Sequence, residues 1–249
     1  MRTLQYEAKM GKLLVGLLCS VILAHAQVDF QAPSDSVASN PEPRVLVEGA
    51  SFRVLSVVLQ HDLKVPLPQG GNDVIVVVLG EGVSLRSGSG GNFEKLGYGE
   101  VRFVDRAVHA TLTHSGAELA QVLLVGLKQH WDAEIRPCVE PKACVHPVRV
   151  GGLEIGQSAS LFTNGFVTAY RDRIGQGGTL STSYYSRKGT HHLMLIALDD
   201  LPVSFDGKRQ EMKRGQVFGS DADEVEIEAD PKTEHPVEWV VIRVESQKN

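Results

Sequence analysis

Two cysteines and two histidines stand close together near the middle of the chain, as His130, Cys138, Cys144 and His146. Thiolates and imidazoles are ligands that zinc favours, and two of each would complete a tetrahedral site. The five residues between the cysteines (139–143) make a wider gap than zinc loops usually leave, so a disulfide between Cys138 and Cys144 is the stronger expectation. A second cluster, Asp221, Asp223, Glu224, Glu226, Glu228 and Asp230, has the carboxylate density that suits calcium. Val225 and Ile227 alternate with two of those acids, however, as on a strand with one solvated face. Tyr184 and Tyr185, with Arg187 beside them, could stack on a sugar or aromatic ligand, or stand as one ring in and one ring out of a strand wall. His191 and His192 are adjacent, so on a strand they face opposite ways and only one of them can line a pocket. No glycine-rich phosphate loop, nucleophile elbow or cysteine–histidine pair at usable spacing occurs.

Residues 1–26 have the architecture of a secretory signal peptide. Arg2, Lys9 and Lys12 precede the apolar stretch Leu13 to Leu23, and Ala24-His25-Ala26 offers a cleavage site before Gln27. The stretch is shorter than a membrane span requires, so no membrane attachment is expected after cleavage. The predicted location is secreted or periplasmic, where Cys138 and Cys144 are the only cysteines left and would oxidise. Cleavage removes three cations and one acid, taking the formal net charge from −5 to 22 − 29 = −7. A mildly acidic mature chain is a poor match for nucleic acid.

Residues 27–43 are rich in Pro, Ser and Asn without periodicity and read as a flexible lead-in. Short β-branched runs separated by turn residues then dominate, predicting an all-β chain. Asn72 to Gly82 is the clearest run, and Thr190 to Leu201 repeats its shape. Three landmark pairs keep nearly one offset: Asp73 and His192 lie 119 apart, Gly99 and Gly215 116, Gln121 and Glu238 117. Such spacing predicts a tandem duplication. The expected units are 44–128 and 151–246, joined by a connection, 129–150, that holds both cysteines.

Each unit resembles a cupin. Asn72 to Gly82 is similar to the first cupin motif, from its acid to its closing glycine, and Leu96 to His109 is similar to the second, from its Gly-acid turn to its histidine. The resemblance implies a bicupin of two double-stranded β-helix barrels over nearly all of Val45 to Val244. It also implies Asp73 and His109 as remnants of a metal set, with His192 at the acid position of the second unit. The two motif-one histidines are missing: that stretch reads Val65-Pro66-Leu67-Pro68-Gln69-Gly70-Gly71, and the second unit's motif two has no histidine. Only His61, from the preceding strand, and Gln69 could supplement His109. The binding candidates are therefore Asp73, His109, Tyr184, Tyr185 and His192, with His109 taken as a barrel-lining residue satisfied by a neighbour such as Asp73. The expected function is an exported bicupin without a complete metal site or cofactor, serving as a small-molecule or carbohydrate-binding or structural module. The alternative is a cupin enzyme of the isomerase or dioxygenase type, using a divalent transition metal on an unusual ligand set around His109 and Asp73 or around His192. Expected partners are a small-molecule ligand and, through barrel packing, further copies of the chain.

Overall fold

Runs of β-branched residues form strands here because both of their faces are buried. In the computed structural model, which describes residues 42–245 apart from 69–71, 89–90, 131–133, 139–143, 182–190, 206–207, 221–224 and 229–234, the chain is all β. The expected leader and nearly all of the lead-in lie outside the described residues. The first unit contains β1 (Arg44–Glu48), β2 (Phe52–Leu59), β3 (Lys64–Pro66), β4 (Val74–Val78), β5 (Val83–Ser87), β6 (Phe93–Leu96), β7 (Val101–Val104), β8 (Ala110–His114) and β9 (Ala120–Leu127). The second contains β10 (Arg136–Pro137), β11 (Val145–Val150), β12 (Leu153–Thr163), β13 (Val167–Ile174), β14 (Thr179–Ser181), β15 (His191–Ala197), β16 (Leu201–Phe205), β17 (Lys208–Met212), β18 (Val217–Ser220), β19 (Val225–Glu228) and β20 (Val237–Glu245). Sheets ordered β1-β2-β9-β4-β7 and β3-β8-β5-β6 enclose the first barrel. Sheets ordered β12-β13-β20-β15-β18 and β14-β19-β16-β17 enclose the second, with β10 and β11 on the outer edge of β12.

The strand registers carry the duplication residue by residue. Val77 pairs with Val101 and Leu123, and Ile196 pairs with Val217 and Val240. Adding the three sequence offsets converts one set into the other, since 77 + 119 = 196, 101 + 116 = 217 and 123 + 117 = 240. The valine run is explained by the same geometry. Val74, Val76 and Val78 point into the first barrel, while Ile75 and Val77 point outward into a layer shared with the second. On β15, Leu193, Leu195 and Ala197 fill the second barrel, and Met194 and Ile196 meet Ile75 and Val77 in the shared layer. A strand dry on both faces needs no polar alternation, so it reads as a continuous apolar run.

One expectation changes. Much of the segment 129–150, read as a connection, is an edge of the second barrel's sheet. Arg136–Pro137 pairs with Thr163 and Phe162, the Cys138 amide donates to the Leu161 carbonyl, and Val145–Val150 continues along β12 from Ala159 to Leu153. Val148 is fully buried in the second barrel's core, and Pro147 is tolerated because an edge strand need not donate on its open side. Cys138 and Cys144 are bonded, with Cα atoms 6.0 Å apart, and so join the end of β10 to the start of β11 along that edge. By the chain-entropy account a loop this short stabilises by about 2 kcal/mol. Reduction is therefore expected to lower the urea midpoint by that equivalent with little change in m-value. Two thiols that alkylate freely in unreduced, denatured protein would show that the bond is absent.

Candidate functional site

Alternation on β8 decides which histidine enters the first barrel. Ala110, Leu112 and His114 are buried on its inward face, whereas His109 sits at the end of the 105–109 turn with its ring exposed and its carbonyl accepting from the Gly88 amide. The expectation that His109 lines the barrel against Asp73 is thus corrected: its parity is the outward one. The histidine inside is His114, whose Nδ1 is buried without a hydrogen-bond partner and whose ring lies against Gly82 and Gly116. A Cβ at position 116 would approach His114 Nε2 to 2.6 Å, so this corner requires glycine. His114 was missed in the sequence because the motif frame points to His109, although the spacing Ala110, Leu112, His114 carried the signal. His61 stays on the surface, with Nδ1 donating to the Gly116 carbonyl at 3.1 Å and Nε2 3.3 Å from Asp62.

Asp73 is buried, and its partners are already fixed. Its Oδ2 lies 2.9 Å from His130 Nδ1, its Oδ1 accepts the Arg106 amide at 2.9 Å, and its carbonyl accepts the Leu127 amide. One carboxylate therefore ties the start of β4 to the 105–109 turn and to the segment following β9. His130, a candidate zinc ligand by sequence, serves this strut, and the two thiols are consumed in the disulfide. Around the axis of the first barrel the space holds Val76, Val78, Val83, Leu85, Leu112, Val122 and Leu124.

The second barrel is packed with Leu195, Leu201, Val203, Ile227, Trp239 and Val241. His192 shares its parity on β15 with Met194 and Ile196, so it lies on the inter-barrel side and not on the interior one as expected. Tyr184, Tyr185 and Arg187 lie outside the described residues, as do Gln69, Asp221, Asp223, Glu224 and Asp230. On β19, Glu226 and Glu228 flank the fully buried Ile227, and Glu228 is 3.7 Å from Arg209, the arrangement of a solvated strand face. Among the described residues no three His, Cys, Asp or Glu side chains converge where they could share an ion.

Polar chemistry gathers instead along the seam between the barrels, where the contacts are reciprocal. Tyr98 Oη donates to the Leu198 carbonyl, and Arg214 Nη2 donates to the Leu79 carbonyl at 3.1 Å. Each donor corresponds to the other by the offset of 116, and each acceptor by the offset of 119. The Arg214 guanidinium stacks 4.2 Å from the Tyr98 ring centre, on the pseudo-twofold axis itself. The flanking pairs have diverged: Gln121 Nε2 donates to Ser56 Oγ at 3.0 Å on one side, while Arg171 grips Glu238 Oε2 at 2.6 and 3.0 Å on the other. Burial raises the Tyr98 hydroxyl pKa, an effect that the nearby Arg214 charge opposes. Burial likewise raises the Asp199 carboxyl, against the amide of Glu238 that it accepts at 3.0 Å. Beside the Arg171–Glu238 pair opens a cleft of about 250 Å³, lined by Val145, Gln157, Ala159, Arg171, Asp172, Arg173 and Glu238, two arginines against two acids.

No protein-family model matches the chain, and no curated protein matches it by sequence. Solved structures do match by shape. A cupin 2 conserved barrel domain protein from Leptotrichia buccalis superposes with a TM-score of 0.56 at 11% identity over 85% of this chain and 92% of that one. The protein Ylba from E. coli gives 0.62 at 11% identity, covering 87% and 88%. A salicylate 1,2-dioxygenase from Pseudaminobacter salicylatoxidans gives 0.56 at 8% identity, covering 82% and 76%. At such identities the likeness establishes the fold and carries no activity across.

Proposed function

We propose that this bicupin, a chain whose two barrels share the cupin fold, is an exported, non-catalytic module that binds a small molecule without transforming it at a metal centre. The observation that carries this reading is the occupancy of the first barrel's interior. Aliphatic side chains from Val76 to Leu124 line the interior where a cupin metal would need polar ligands, and the motif-one acid is turned away into its strut with His130. A catalytic ion needs several protein ligands held in fixed geometry by further contacts, whereas the Asp73 carboxylate is taken up by His130 and the Arg106 amide and the His109 ring is exposed. Export is supported by the leader pattern of residues 1–26 and by the Cys138–Cys144 bond, since disulfides persist in oxidising compartments. No helix among the described residues is long and apolar enough to cross a membrane.

Elemental analysis of the mature protein purified without chelator tests the reading. Far less than one equivalent of iron, manganese, zinc, nickel or copper is expected. His109→Ala, at an exposed turn, should leave metal content unchanged and stability within about 0.5 kcal/mol. One equivalent of a transition metal, lost on substituting His109 or His192, would replace this reading with that of a metal-dependent cupin enzyme.

A further inference from the structure

We propose that the outer face of the first barrel's smaller sheet, β3-β8-β5-β6, binds a linear polysaccharide of uronic acids, with Lys64, Arg86 and Lys95 meeting its carboxylates. The surface lies outside both barrels, so it goes beyond the reading above and does not depend on it. Val65, Leu112 and Leu85 pair across this sheet and point into the core, which turns the rungs on either side of them outward. One outward rung runs Lys64, Thr113, Ser84, Lys95, and the other Pro66, Thr111, Arg86, Phe93. Three of these side chains are cations and none is an acid. Among the described residues neither Lys64 nor Lys95 has a carboxylate within ion-pair distance. The acids nearest them in the chain are engaged elsewhere: Asp62 lies 3.3 Å from His61 in the preceding turn, and Glu94, of opposite parity, meets Arg102 at 2.6 Å. Phe93 is exposed, and the Arg86 guanidinium lies 5.3 Å from its ring centre, which sets an apolar ring and an oriented cation side by side.

The duplication shows that strand pairing does not require these charges. In the second barrel Leu180, Ile227 and Val203 form the matching inward rung, and the rung beside it reads Ser181, Glu226, Ser204, Arg209. Glu228 and Glu211 stand where Thr113 and Lys95 stand. The equivalent face of the second barrel is thus acidic, with Arg209 as its one cation, while the first-barrel face is basic on a chain whose formal net charge is −5. Such complementarity also fits a second copy stacked first barrel on second, but the area decides against it. Four strands and two outward rungs span about 14 Å by about 7 Å between Cα atoms, well below the roughly 800 Å² per side of a stable protein interface. A linear polymer needs only such a track. The cations are sparse, on β3, β5 and β6, which matches one carboxylate per sugar ring better than the dense charge of a nucleic acid or a lipid surface. The hydroxyls of Thr113, Ser84 and Thr111 between them can donate to and accept from sugar hydroxyls, and the Phe93 ring can lie against a sugar face.

Oligogalacturonate is the probe, and its methyl ester, which keeps the rings and removes the charges, is the control. In calorimetric titrations of the full mature chain the ester is expected to bind at least about ten-fold more weakly than the acid, and the acid to lose affinity as salt is raised. The double substitution Lys64→Gln, Lys95→Gln should weaken the acid by about ten-fold. Arg44→Gln with Arg149→Gln removes the same net charge outside this face, on β1 and β11, and should bind like the parent. All four side chains are exposed, so both variants should fold, and an unchanged urea midpoint checks it. No binding by the parent, equal binding of the ester, a folded lysine variant that binds like the parent, or equal weakening by the arginine pair would overturn the proposal. So would tighter binding of a single-stranded oligonucleotide of the same charge, which would make the face a general polyanion surface. A sedimentation coefficient that rises with concentration, and no longer does so in the lysine variant, would overturn it in favour of a second copy. Metal content is indifferent to all of these outcomes, so failure here leaves the non-catalytic assignment standing, and one equivalent of metal leaves this surface standing.

Discussion

Leu123→Ala in the first barrel and Ile196→Ala in the second should each destabilise by about 2–5 kcal/mol and lower the midpoint of one and the same unfolding transition. Both side chains are fully buried in the layer between the barrels, on β9 and β15. Each truncation removes buried apolar area and leaves a cavity that neighbouring strands fill only in part. Neighbours of that cavity come from both units, because Val77, Val101 and Val125 share the layer with Met194, Val240 and Ile242. Either barrel unfolding alone would expose the other's half of the layer to water, which couples the two. Calorimetry should therefore show one transition, shifted by about 2–4 °C per kcal/mol in both variants. Two transitions, with each variant moving only its own, would mean that the barrels are independent.

Asp73→Ala should destabilise by about 2–4 kcal/mol, because it strands two donors at once: the Arg106 amide and His130 Nδ1. Asp73→Asn keeps an acceptor for the Arg106 amide, so its loss should be smaller. Denaturant melts of both variants decide this, and a result for Asp73→Ala within about 0.5 kcal/mol of the parent, the range of an ordinary surface change, would show that the strut is dispensable.

How much of this was readable in the sequence follows from where each residue finds its partner. Strands β4, β9, β15 and β20 are dry on both faces and announce themselves as β-branched or leucine-rich runs. Their offsets already encoded the duplicated registers. By contrast β12, the longest strand among the described residues at 11, has Gly156, Ser158, Ala159 and Ser160 at its centre, whose strand conformation comes from pairing with β13 and β11 and not from propensity. The Asp73 strut was hidden for a similar reason. Its partner His130 lies 57 residues away, in a segment whose prolines and cysteines suggest a connection. The seam cluster was only half visible: Gly99 and Gly215 marked equivalent turns, but nothing local shows that Tyr98 and Arg214 meet across an axis.

That meeting has a bearing on which halves can recognise each other. An axis that relates two similar surfaces makes every residue on it face its own counterpart. Within this chain the counterparts differ, a phenol ring against a guanidinium. Two first barrels brought together in the same way would set Tyr98 against Tyr98 and forfeit the cation. Two second barrels would set Arg214 against Arg214, with like charges in close approach. Attraction between unlike halves, against a lost cation in one like pairing and repulsion in the other, is discrimination built from a single divergent position. An exchange of halves between two molecules would still have to match one first barrel with one second barrel.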